Sequence, residues 1–102
     1  METPEQVFKA ILKGRVIPID HDPYKRIDHA LTLVEALQEK IPSLAWSFGR
    51  GQTTKSAYES VFYFHSAHFR KSRHDDPCEA ITRSVLYVLE GGYGTRKALG
   101  FD

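Results

Sequence analysis

Six side chains able to hold a metal or move a proton crowd into fourteen positions: His65, His68, His74, Asp75, Asp76 and Cys78. Imidazole, carboxylate and thiolate together suit zinc. The spacing fits no pattern of paired cysteines and histidines. Along an extended run, alternation also sends His65 and His68 to opposite faces. Asp76 is better placed as a helix cap and Cys78 as a small core residue. No metal and no cofactor is therefore expected. Asp20-His21-Asp22 sets a histidine between two carboxylates, which would raise its basicity for general-base work. No serine or cysteine nucleophile with a supporting motif lies nearby, and a solvated loop ending in a helix cap is the simpler reading.

The densest basic run is Arg70-Lys71-Ser72-Arg73-His74. Arg50 and Lys55 belong to a loop that a neighbouring hairpin would bring close. With Tyr58, Tyr63 and Phe69 adjacent, the set Arg50, Lys55, Tyr63, Arg70, Lys71 and Arg73 is the candidate binding surface, for phosphates or for a stacking partner. The competing explanation is a charged edge strand that blocks sheet-to-sheet aggregation. Gly91-Gly92-Tyr93-Gly94-Thr95-Arg96-Lys97 looks superficially like a phosphate loop, but it follows a helix rather than opening one, so no helix N-terminus faces the anion. A double-stranded RNA-binding domain needs cations at the start of its last helix. Here Asp75-Asp76-Pro77-Cys78-Glu79 stands there and would repel phosphate.

The elements that must position these residues are well marked. The chain has 102 residues, 41% hydrophobic and 26% charged, with a net charge of +1. That is one domain with enough apolar content for a core of its own. The near-neutral balance means that any electrostatic function rests on a local patch. A lone cysteine excludes an internal disulfide and suits a reducing compartment. No apolar run reaches the ~20 residues of a membrane span, and a secretory leader pattern is missing. A cytoplasmic protein is expected.

Thr3-Pro4-Glu5-Gln6 is a capping box that opens a helix over about 4–13, with Gly14 to end it. Val16, Ile17 and Ile19 lie in a connector, extended at a sheet edge or packed under the next helix. Asp22-Pro23 then signals a long helix from Pro23 to about Lys40, stopped by Pro42. Its apolar face is Ile27, Ala30, Leu31, Val34, Leu37 and Ile41. Leu44, Trp46 and Phe48 alternate as an inward-facing strand. Ser56–Phe64 is a second strand, with the Phe62/Phe64 face toward the helices, and a turn at His65-Ser66 leads to a third, about Ala67–Arg73. Asp76 caps a closing helix whose stripe is Cys78, Ile81, Val85, Val88 and Leu89, ended by Gly91-Gly92. Residues 93–102 form a tail docking through Tyr93, Leu99 and Phe101. The expected fold is α+β, a two-layer sandwich in the order α-α-β-β-β-α, a three-stranded antiparallel sheet with the helices on one face. The core spans about residues 16–90.

Three stretches carry a resemblance. Ala30-Leu31-Thr32-Leu33-Val34-Glu35-Ala36-Leu37 follows a proline and an acidic helix start. Trp46-Ser47-Phe48 forms a tryptophan strand. Ala80-Ile81-Thr82-Arg83-Ser84-Val85-Leu86 closes the domain. Over roughly Val16 to Glu90 the chain resembles the phage ABA sandwich domain, a family of small phage and prophage proteins. Where the family often carries a Tyr-Ser pair after the proline, this chain has Ile19-Asp20-His21. The resemblance implies an accessory phage protein acting against a host process, such as a defence system, and brings no catalytic set. The expected function is a non-enzymatic protein that binds a host protein through a sheet face or edge, with homo-oligomers compatible. The alternative is a nucleotide or nucleic-acid binder using the basic set.

Overall fold

Thr3 opens the chain's first helix in full agreement with its sequence. Its Oγ1 accepts the Gln6 N–H at 3.3 Å, and the Gln6 side chain accepts the Thr3 N–H at 2.8 Å. This is α1, Pro4–Leu12. Gly14 follows at φ 94°, a conformation that side chains resist, so it turns the chain out of the helix. The computed structural model describes residues 2–51, 57–64, 67–90 and 93–101, except for the side chain of Tyr93. The expected turn at His65-Ser66, the helix stop at Gly91-Gly92, and Lys55 lie outside the described residues.

The second helix begins later than Asp22-Pro23 predicts. α2 is Ile27–Lys40, and Arg26 stands extended before it. Asp22 does act as a cap, but of a separate turn. Its Oδ1 accepts the Tyr24 N–H at 3.1 Å, and its carbonyl takes the N–H groups of Lys25 and Arg26. That turn is pinned from two sides. His29 Nδ1 accepts the Asp22 N–H at 2.8 Å, and Thr82 donates to the Pro23 carbonyl at 2.9 Å. The buried face of α2 is His29, Ala30, Leu33, Val34, Ala36 and Leu37, continued by Ile41. Ile27 and Leu31, expected inside, are exposed. The late start leaves them on the open flank of the first turns.

The sheet has three lanes. β1 is Ala45–Arg50 and β2 is Tyr58–Phe64, paired antiparallel with Trp46 opposite Phe62 and Phe48 opposite Ser60. The third strand is not continuous as expected. It is two pieces, β3 at Ala67–His68 and β4 at Ser72–His74, both pairing with β2. His68 stands opposite Tyr63 and His74 opposite Tyr58. From Tyr58 to Tyr63 is five steps, and from His68 to His74 is six. The returning lane therefore holds one extra residue, and Arg70 and Lys71 both face Val61. This is a β-bulge, which breaks pairing and re-aims side chains. It lets Phe69 turn inward against Phe64, with ring centres 5.5 Å apart, while Lys71 and Arg73 stay outside.

α3, Pro77–Glu90, packs on β2 and β4; α2 lies beside α3, and α1 on α2. Asp76 caps α3 through the Cys78 N–H at 2.8 Å, as its sequence predicts. One core cluster joins Val7, Ile11, Leu33, Leu37, Phe62, Ile81, Val85 and Val88. α1, α2 and α3 all contribute to the core on the Phe62 side of the sheet. The architecture is α+β, as expected, with one extra strand piece and one extra helix. That helix is α4, Tyr93–Ala98, where a tail without period was expected. Leu99 is buried and Phe101 packs on the core. Thr95 donates to the Val88 carbonyl at 2.9 Å, and Arg96 grips the Glu2 carboxylate with two nitrogens at 2.6 and 2.8 Å. No described helix is long and apolar enough to cross a membrane.

Candidate binding face

Pleating sends alternate residues to opposite faces. With Phe62 and Ser60 inward, the outward residues are Ala45, Ser47 and Gly49 of β1, Glu59, Val61 and Tyr63 of β2, then His68, Lys71 and Arg73. No described helix covers them. Tyr63 and His68 stack with ring centres 5.4 Å apart. At the other end Glu59 accepts Arg73 Nε at 2.8 Å and lies 3.7 Å from Lys71 Nζ. Its side chain is only 13% exposed, so the two cations lie over it. Ser47, Gly49, Arg50, Glu59, Val61 and Lys71 border a shallow depression of about 180 Å³.

The expected binding residues therefore divide. Tyr63, Lys71 and Arg73 share the outer face, whereas Arg50, expected with them, borders the depression but alternates with Trp46 and Phe48 onto the opposite, helix-side face. Arg50 also lies over the Tyr58 ring, 5.7 Å from its centre. Arg70 turns away to α3, where its guanidinium stacks 4.4 Å from the centre of the Tyr87 ring and stands 3.8 Å from the Glu90 carboxylate. It borders a cleft of about 600 Å³ that Phe64, Phe69 and Tyr87 also line. Glu59 is the residue that sequence reasoning missed, and His68 entered it only as a metal candidate. Alternation already put Glu59 on the face of Val61 and Tyr63. Its ion pairs depend on a register that only the folded sheet reveals.

Of the crowded His/Asp/Cys stretch, His65 lies outside the described residues, and His74, Asp75, Asp76 and Cys78 have other roles. His74 Nδ1 accepts the Asp76 N–H at 2.9 Å, and Asp75 accepts the Ala57 N–H at 3.1 Å. Asp76 is a cap and Cys78 is buried. Burial raises the Cys78 thiol above its ordinary value, with Asp76 adding to the effect, the reverse of an activated nucleophile. His21 stacks on His29 at 4.7 Å, and its Nε2 is buried without a partner. Burial first, then the neighbouring His29, lowers its pKa. The flanking carboxylates of Asp20 and Asp22 do not reverse this, so the general-base alternative gains no basicity, and the preferred reading of a solvated loop gives way to a partly buried ring. No family model, curated protein or solved structure matches the chain.

Proposed function

We propose that this chain is a non-enzymatic accessory protein of the phage sandwich-domain kind. Its partner is a host protein in the bacterial cytoplasm, a component of host defence being the favoured class. It binds through the outer face of its sheet. The observation that carries this reading is the one-sided packing: α1, α2 and α3 lie on one face, and the other presents Tyr63 on His68 beside a Glu59–Lys71–Arg73 cluster. An aromatic anchor with a polar rim is the composition of a protein interface. The alternative, a phosphate-binding surface, is weakened by Glu59, whose carboxylate occupies both cations and repels a phosphate approaching them.

Affinity capture from nuclease-treated bacterial lysate tests the reading, run in parallel on the native chain and on Tyr63→Asp. A protein retained by the native chain and lost from the variant is the expected result. Equal capture by both would move the interface elsewhere. Recovery only when nucleic acid is left intact would favour the alternative.

A further inference from the structure

Among the described residues, β1 lies at one margin of the sheet, and no other strand pairs with its outward edge. In an antiparallel ladder one residue aims both its N–H and its C=O at the partner strand, and the next aims both away. The Gly51 N–H bonds the Ala57 carbonyl at 3.0 Å, and continuing the β1–β2 register sets Gly51 opposite Ala57. Ala45, Ser47 and Gly49 therefore bond β2, while Leu44, Trp46, Phe48 and Arg50 point outward. Leu44 is already served. Its N–H reaches the Ile41 carbonyl at 3.0 Å, and its carbonyl takes the Gln38 side chain at 3.2 Å. Among the described residues, nothing meets the outward backbone groups of Trp46, Phe48 and Arg50. β2 is the only described element packed at length along β1.

The two margins are treated differently. The β3/β4 lane carries the bulge and three cations, Arg70, Lys71 and Arg73, which are devices that keep other strands from pairing. β1 has no bulge, no proline and no lysine.

We propose that β1 pairs antiparallel with β1 of a second copy, centred on Phe48. A two-fold axis normal to the sheet brings together residues of the same face, so Phe48 meets Phe48 of the partner subunit and Trp46 meets Arg50 of the partner subunit. This register uses every outward N–H and C=O of Trp46, Phe48 and Arg50 on both copies. Centring on Ser47 instead would set Arg50 against Leu44 of the partner subunit, whose backbone is already bonded. The side chains agree with the Phe48 register. Arg50 is exposed and already lies over Tyr58, and pairing would offer it a second ring, the partner subunit's Trp46. The axis keeps both helical layers on one side and both outer faces on the other. The dimer is thus compatible with the partner-binding face and independent of it.

The test is sedimentation of the full chain across roughly a hundredfold range of concentration, with amide hydrogen exchange at both ends of that range. The expected result is a concentration-dependent dimer in which the amides of Trp46, Phe48 and Arg50 exchange about tenfold or more slowly than in dilute solution. The amides of Ser47 and Gly49, bonded within the subunit, stay slow throughout. Arg50→Glu should weaken the dimer about tenfold or more and leave the melting curve of the dilute, monomeric chain unchanged, while Arg50→Lys keeps the dimer. A monomer at every concentration would overturn the proposal. So would a dimer whose Trp46, Phe48 and Arg50 amides exchange at the dilute rate, or one indifferent to Arg50→Glu.

Discussion

Ser60 and Ser84 each have one hydroxyl proton, and their surroundings decide where both go. Ser84 Oγ gives its proton to the Ile81 carbonyl at 2.7 Å. Ser60 must then donate to Ser84, 2.6 Å away, and its remaining lone pair takes the Trp46 indole N–H at 2.9 Å. The seam between sheet and α3 is a one-way chain that cannot be shortened. Ser60→Ala leaves the indole N–H without its acceptor, and a loss of about 1–3 kcal/mol is expected from urea unfolding. Tryptophan emission in the folded state should shift with it. His21 supplies a second prediction. Its folded pKa lies below the ordinary histidine value, so the unfolded chain binds the extra proton. The stability it contributes is full above about pH 6.5 and declines as pH falls through the lowered folded value. Melting across that window should show the decline, and His21→Gln should flatten it. The hydroxyl chain was not legible in the sequence, because it joins residues that only the register and helix packing bring together. The histidine was noticed in the sequence but read as part of a solvated loop, since its carboxylate neighbours were visible and its burial against His29 was not.

Helices were legible where their signals are local. The Thr3–Gln6 box and the Asp76 cap work within one turn, and both form as read. Asp76→Ala should lower stability by about 0.5–2 kcal/mol, seen as a shift of the denaturation midpoint with an unchanged slope. Asp22-Pro23 carries the same signal and misleads, because a capped turn need not continue into a helix. Here the turn is held by His29 of α2 itself and by Thr82, far along the chain. The bulge was equally hidden, since alternation has no mark for an extra residue. It makes a sharp prediction. Deleting Arg70 removes the extra residue and leaves both registers intact, with Tyr63 opposite its present partner and Ser60 opposite Ser72. Deleting Arg73 must turn Ser72 or His74 to the wrong face. Circular dichroism and melting should show the first deletion folded and the second markedly less stable.

At the scale of the molecule, the division into a helical side and an open side was readable from the Phe62/Phe64 alternation, and the fold class with it. What covers or neutralises the open side was not. The basic run reads as three candidates, Arg70, Lys71 and Arg73, yet one of these cations turns to Tyr87 and two share a carboxylate. Nucleic-acid affinity should therefore be weak and fall away near physiological salt. Duplex and single-stranded probes in a salt titration check this. Glu59→Gln should strengthen that binding by freeing Lys71 and Arg73, and reversing both cations to Glu should abolish what remains. Tight binding by the native chain that the reversal destroys would displace the protein-binding reading.

Val16 and Ile19 stand fully exposed on the connector between α1 and α2, while Ile17 between them packs against the core. The helix before this segment stays docked through Val7, Ile11 and Leu12, and Arg15 is tied to Glu39. A covalent break at Val16 or Ile19 would then sever the chain without severing the protein. Brief digestion with elastase should yield a nicked species that elutes with the intact one on a sizing column and comes apart only in denaturant. The short leading piece becomes, in effect, a detachable key. A synthetic peptide of residues 1–16 should rebind the remainder and restore its melting curve, and a fluorophore on that peptide would report docking directly.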